Sequence, residues 1–222
     1  MIEENNGEFV KEHTIRLPFS PPIYQSKFNS SELKVLQDLS EDTRNSFRLG
    51  NNLSGNIQEQ RAVESLEENI FYILAPHVRE YVKFFTEKIK LMGNTGYDND
   101  DNEIRDYSKL NFSISALWFN YMTKNEFNPL HRHTGLISAV LMIKVPEEIS
   151  QEHISIPIES NARCPGMLEW VNTGYGAGFY RKYPVEGEIY LFPAELQHQV
   201  YPYASDVERI TASFNVAEIN FS

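Results

Sequence analysis

From Tyr107 onward the chain alternates apolar and polar residues with a period of two and does not return to a helical period. LNFSISALWFNYM alternates, and LISAVLMIKVP reads as a buried strand stopped by Pro146. HISIPIE, GMLEWV, GEIYLFP, QHQVYP and ERITASFNV follow, separated by turn-forming stretches such as NTGYGAG and PYASD. Successive side chains of a strand leave opposite faces, so each segment asks for a sheet with one or both faces covered. Roughly eight short strands without intervening helices predict an antiparallel closed or sandwiched architecture. A jelly roll of the cupin-like, double-stranded β-helix kind fits best.

The upstream half reads differently. EFVKEHTIRLPF is an irregular strand ending near the Pro21-Pro22 turn. Asn29 and Glu32 have capping-box spacing, so ELKVLQDL predicts a short helix. Between about Gln58 and Met92, Val63, Leu66, Ile70, Leu74, Val78, Tyr81 and Phe85 recur every three or four residues. That spacing predicts an amphipathic helix bent at Pro76, with His77 an ordinary surface or boundary residue. Asp98, Asp100 and Asn102 imitate the start of a calcium loop, but Glu103 stands where Gly is needed and Lys109 where a bidentate Glu is needed. The Asn94–Asp106 stretch is therefore expected to be a solvated loop. The fold class that follows is α+β. Residues 1–106 form a mainly helical support region packed on a double-stranded β-helix core of residues 107–222, together one structural unit.

Charge and cysteine content narrow the function. A formal net charge of −11 disfavours a general nucleic-acid binder, which needs a basic face. Cys164 is the only cysteine, so no disulfide framework can form and a reducing interior is the easier home. No segment is apolar enough over about 18 residues to span a membrane. MIEENNGEF is acidic, unlike a signal peptide. The expectation is a soluble, cytoplasmic protein.

The chemistry-bearing residues cluster in three places. His131 and His133 are one residue apart, so in an extended segment both rings leave one face. His198 follows a strand and a Pro turn, and Arg209 and Thr211 share a face of the next strand. A close His pair, a distant His and then Arg-x-Thr is the order of a mononuclear iron site with a 2-oxoglutarate anchor. Arg suits that anchor because its planar fork makes two parallel bonds to a carboxylate.

Trp118-Phe119-Asn120, FNPLHRHTG with its following SxV strand, GEIYLFPAELQHQV and ERITASFN stand in the order of WxN, HxH, FP-x4-H and RISxSFN. In this the chain resembles the prolyl-hydroxylase-like 2-oxoglutarate/Fe(II) oxygenases of phage and bacterial type. NNLSGNI near Asn51 is similar to a loop of the phage members. The resemblance implies that His131 and His198 ligate Fe(II), that Arg209 and Thr211 clamp 2-oxoglutarate, and that Asn120 hydrogen-bonds the co-substrate. It implies an oxygenase, most simply a hydroxylase, that couples decarboxylation of 2-oxoglutarate to succinate with C–H hydroxylation by O2. The prime substrate is unnamed; a peptidyl proline or a small molecule fits.

Two departures from the family pattern matter. His133 stands where relatives carry Asp or Glu. Either His131, His133 and His198 form a three-His site, or His133 sits beside the ligands and water or another carboxylate completes the set. Ala194-Glu195 replaces a Ser-Trp pair, and Glu195 either lines the mouth or faces water. Arg132 is expected to point away from the metal side. Asn172–Lys182 reads as a lid or a plain turn, and His13, His153 and Cys164 as structural. Trp118 and Trp170 read as core, with Trp118 a candidate pocket wall. The rivals are a cupin-type three-His dioxygenase that does not use 2-oxoglutarate, and a non-catalytic jelly-roll binding or virion-associated module.

Overall fold

In the computed structural model, residues 12–16, 21–49, 54–91, 107–155, 164–172 and 178–221 are described. Eleven strands among these residues form two antiparallel sheets. The larger runs β1 (His13–Arg16), β2 (Ile23–Lys27), β9 (Glu188–Pro193), β6 (Ile137–Lys144), β11 (Arg209–Phe221), β4 (Leu110–Met122) and β3 (Gln60–Ala62). The smaller runs β5 (Asn128–His131), β10 (Gln197–Val200), β7 (Leu168–Val171) and β8 (Phe179–Lys182). With three α-helices among the described residues, this is the expected α+β class built on a double-stranded β-helix.

Period-two patterning explains the layering. On β4, Leu117, Phe119 and Tyr121 face one side, joined by Leu141 and Ile143 of β6 and by Ile210, Ala212, Phe214 and Val216 of β11. That side is covered by α1 (Ser30–Thr43) and α2 (Glu68–Leu91), which contribute Leu36, Ile70, Leu74, Val78 and Tyr81. The alternate residues Val140 and Met142 of β6, with Tyr190 and Phe192 of β9, face the small sheet and pack with its Leu168 and Trp170. Each such fully buried large side chain stabilises the fold by roughly 1.5–3 kcal/mol. Trp118, Asn120 and Met122, with Arg209, Thr211 and Ser213, take the same inner face further along and border a cavity between the sheets.

The capping box forms as expected. Asn29 Oδ1 accepts from the backbone N–H of Ser31 and Glu32 at 3.0 and 2.9 Å, and Glu32 Oε2 accepts from Asn29 N–H at 2.9 Å. Other expectations need correction. The helix expected from about Gln58 begins at Glu68, because residues 60–62 pair with β4 as β3. Pro76 lies inside it, as the spacing predicts. His77 is buried, not at the surface: its Nδ1 meets Tyr24 Oη at 2.9 Å and Phe28 packs edge-on to it. Burial, with the nearby His13, pushes its pKa down to about 3. Where HISIPIE was expected to be a strand, α3 (Glu147–Ser155) occupies its first half, which makes His153 a helical residue. The Asn94–Asp106 loop, residues 156–163 and residues 173–177 lie outside the described residues. No described helix is long and apolar enough to cross a membrane.

Candidate metal centre and co-substrate pocket

Strand register brings the histidines together. His131 on β5 lies directly opposite His198 on β10, with ring centroids 4.3 Å apart. The chain leaves strand geometry after His131, and His133 is returned to the same side because its N–H donates to Ala194 O at 2.9 Å. Ligand atoms of all three rings lie within 4.8 Å of one another. His131 Nδ1 is 2.6 Å from Pro129 O and His198 Nδ1 is 3.0 Å from Leu196 O. Each carbonyl takes the Nδ1 proton and leaves the Nε2 lone pair facing the cluster, the usual device for orienting a metal-binding imidazole.

The donor set suits a metal. Two imidazole nitrogens each about 2.1 Å from one ion, at a right angle, would be about 3 Å apart. His133 Nε2 and His198 Nε2 are 3.2 Å apart. Burial lowers all three imidazole pKa values, to about 4 for His133 and about 3 for His198, so the rings are neutral near pH 7. Neutral imidazole is the ligating form.

The same cavity, about 320 Å³, holds the expected anchor. Arg209 is 2 % exposed. Its Nη1 donates to Gly166 O at 2.6 Å and its Nη2 to Met122 Sδ at 2.8 Å, while its Nε has no partner. Among the described residues no carboxylate pairs with it. Burial lowers its pKa to about 10, so it stays charged near pH 7. Thr211 lies two residues on along the same face, and Asn120 Nδ2 donates to its Oγ1 at 3.3 Å. An unpaired buried cation with an orphaned N–H, beside a hydroxyl, fits the far carboxylate of a dicarboxylic acid. Among the described residues no Asp or Glu lines the cavity, whereas three His and two Arg do.

The neighbours of these residues refine several expectations. Trp118 is buried and walls the cavity, with its ring 5.7 Å from that of His133, and Trp170 is core. Glu195 is exposed and outside the lining. Arg132 is exposed as expected, yet it borders the cavity because its backbone has already left β5. Gln60 was missed: its Nε2 donates to Asn120 Oδ1 at 2.8 Å. A three-residue strand is too short to carry a period, so nothing in the local pattern marks it. In Asn172–Lys182, residues 179–182 form the outer strand β8, where Arg181 pairs with the buried Glu169. Cys164 is a half-buried free thiol.

A sequence model of the family described as "Putative 2OG-Fe(II) oxygenase" matches residues 116–215. No curated protein matches the chain. Among solved structures it is similar to the epimerase SnoN in complex with Fe3+, alpha ketoglutarate and nogalamycin RO, at 13% identity and TM-score 0.51, covering 90% of this chain and 80% of that one. It is also similar to OsALKBH1, at 9% identity and TM-score 0.52, covering 91% and 99%. A prolyl-4-hydroxylase from Pseudomonas putida aligns at 14% identity and TM-score 0.47, covering 87% and 91%. The match over residues 116–215 follows the cavity wall from β4 to β11, and over that stretch the chain is similar to the 2OG-Fe(II) oxygenases.

Proposed function

We propose that His131, His133 and His198 hold Fe(II) as a three-His site, and that Arg209 and Thr211, with Asn120 beside them, bind the far carboxylate of 2-oxoglutarate. One observation carries the reading: three convergent imidazoles and an unpaired buried guanidinium share a single cavity of about 320 Å³. Iron with 2-oxoglutarate, when bound, would supply decarboxylation of 2-oxoglutarate to succinate and CO2 coupled to hydroxylation of a C–H bond, with O2 as the oxidant. The chain's own residues orient and exclude. Pro129 O and Leu196 O hold two imidazoles in the ligating tautomer. Arg209 and Thr211 fix one end of the co-substrate, and Trp118, Val140, Met142 and Leu168 supply apolar wall that keeps water from the reacting end.

Charge supports the pairing. Three neutral imidazoles leave the metal's two positive charges uncompensated, and Arg209 adds a third, with no acidic residue in the lining among the described residues. A dianionic co-substrate offsets most of that. A three-His dioxygenase without 2-oxoglutarate would leave Arg209 buried without a counter-charge. Arg132, Leu49 and Ile57 also line the cavity; the family resemblance alone supports a peptidyl proline as prime substrate.

Anaerobic titration of the Fe(II)-loaded protein with 2-oxoglutarate, followed by the visible charge-transfer band of the chelate, tests the reading. The band is expected in the parent, and Arg209→Ala should require at least tenfold more co-substrate, the scale of a lost bidentate ionic hydrogen bond. His133→Ala should lose iron. Bound iron without any band would sink the 2-oxoglutarate assignment, and full iron retention in His133→Ala would sink the three-His set.

A further inference from the structure

Gln60, Asn120 and Thr211 stand in one row across three adjacent strands. Gln60 of β3 is in register with Asn120 of β4, and Asn120 with Thr211 of β11. All three are buried, at 4, 5 and 7 % exposure, and all three line the cavity. Gln60 Nε2 donates to Asn120 Oδ1 at 2.8 Å, and Asn120 Nδ2 donates to Thr211 Oγ1 at 3.3 Å.

The row has a direction. The Asn120 amide has one accepting end and one donating end. Because Gln60 occupies the accepting end, the NH2 must face Thr211. A donor aimed at Oγ1 uses a hydroxyl lone pair, so the Thr211 proton is left to point elsewhere. On that face it has the cavity and, two residues away, Arg209. With the opposite polarity, the Thr211 proton would be spent on Asn120 and only lone pairs would face an incoming carboxylate.

We propose that Gln60 is a positioning residue for the co-substrate: it sets the polarity of this row so that the Thr211 hydroxyl donates to the far carboxylate of 2-oxoglutarate. The proposal rests on the 2-oxoglutarate reading above. The backbone of Gln60 is held at both ends. Its backbone carbonyl accepts from Leu49 N–H at 3.1 Å, and Tyr121 N–H donates to Glu59 O at 3.0 Å. Ala62 N–H donates to Phe47 O at 3.1 Å, which fixes the other end of β3. A segment upstream of the strands that carry the metal cluster and the clamp thereby finishes the pocket.

The test is anaerobic calorimetric titration of the Fe(II)-loaded protein with 2-oxoglutarate and, separately, with pyruvate, which has the 2-oxo acid but no far carboxylate. Gln60→Leu should weaken 2-oxoglutarate binding about tenfold, the scale of one hydrogen bond to a charged group, and leave pyruvate unchanged. Gln60→Glu should be worse than Gln60→Leu, because a carboxylate only accepts and would turn Asn120 over. In a Thr211→Val background, Gln60→Leu should cost nothing further, as expected when one residue acts only through the other. Equal weakening for both acids, an undiminished 2-oxoglutarate affinity in Gln60→Leu, or additive losses with Thr211→Val would overturn the positioning role. A parent protein that binds pyruvate and 2-oxoglutarate equally well would overturn the far-carboxylate reading itself.

Discussion

Burying a cation without a counter-charge costs a protein several kcal/mol. Arg209 is in that position among the described residues, held only by a carbonyl, a thioether and the face of Tyr203 5.9 Å away. Its cost is what the co-substrate is expected to relieve. Arg209→Met should therefore leave the metal-free protein at least as stable as the parent in urea unfolding, while removing 2-oxoglutarate binding. A marked loss of stability would mean that Arg209 is there for the fold. Gly166 carries a related consequence. Its φ is +64°, and an added Cβ would meet Ile149 at 2.8 Å and Arg209 Nη1 at 3.3 Å. Gly166→Ala should cost about 1–2 kcal/mol of stability through the left-handed backbone alone. It should also weaken 2-oxoglutarate more than pyruvate by displacing the guanidinium, which titration with the two acids would read.

At the scale of elements, the long alternating strands were legible because a period of two with one face against helices and the other against a cavity can be met by only one register. His131, His198, Arg209 and Thr211 came with those strands. Elements whose identity is set by partners were not legible. β3 has three residues and exists because β4 offers it an edge. α3 starts with Glu147 and Glu148 in its first turn, but its pattern is too short to overrule the strand-like HISIPIE. His77 could not be read as buried from α2 alone, since its partners Tyr24 and Phe28 come from β2 and the turn after it. Those partners make a pH prediction. The His77 pKa is about 3 in the fold against roughly 6.5 unfolded, so the unfolded chain binds the extra proton. The stabilisation is whole above about pH 6.5 and is lost as pH falls toward 3, by up to ~1.4 kcal/mol per pH unit. Urea unfolding between pH 7 and pH 5 should show a shallower acid loss in His77→Gln than in the parent. The helix termini are more local: Asn29→Ala should cost about 1 kcal/mol by leaving two N–H groups of α1 without their acceptor.

Across the whole molecule, the two halves of the pocket belong to different sheets. His131 and His198 sit on the four-stranded sheet, while Gln60, Asn120, Thr211 and Arg209 sit on the seven-stranded one. A molecule gripped at one end by the metal and at the other by the guanidinium is a tie between layers that otherwise meet through side-chain packing. Amide hydrogen exchange should register it. Iron alone should slow exchange mainly in β5 and β10, whereas iron with 2-oxoglutarate should slow β4 and β11 as well, and pyruvate should not extend the protection beyond the small sheet. Under the proposed 2-oxoglutarate reading, conversion of the co-substrate to succinate would shorten it by one carbon and loosen that tie at the metal end.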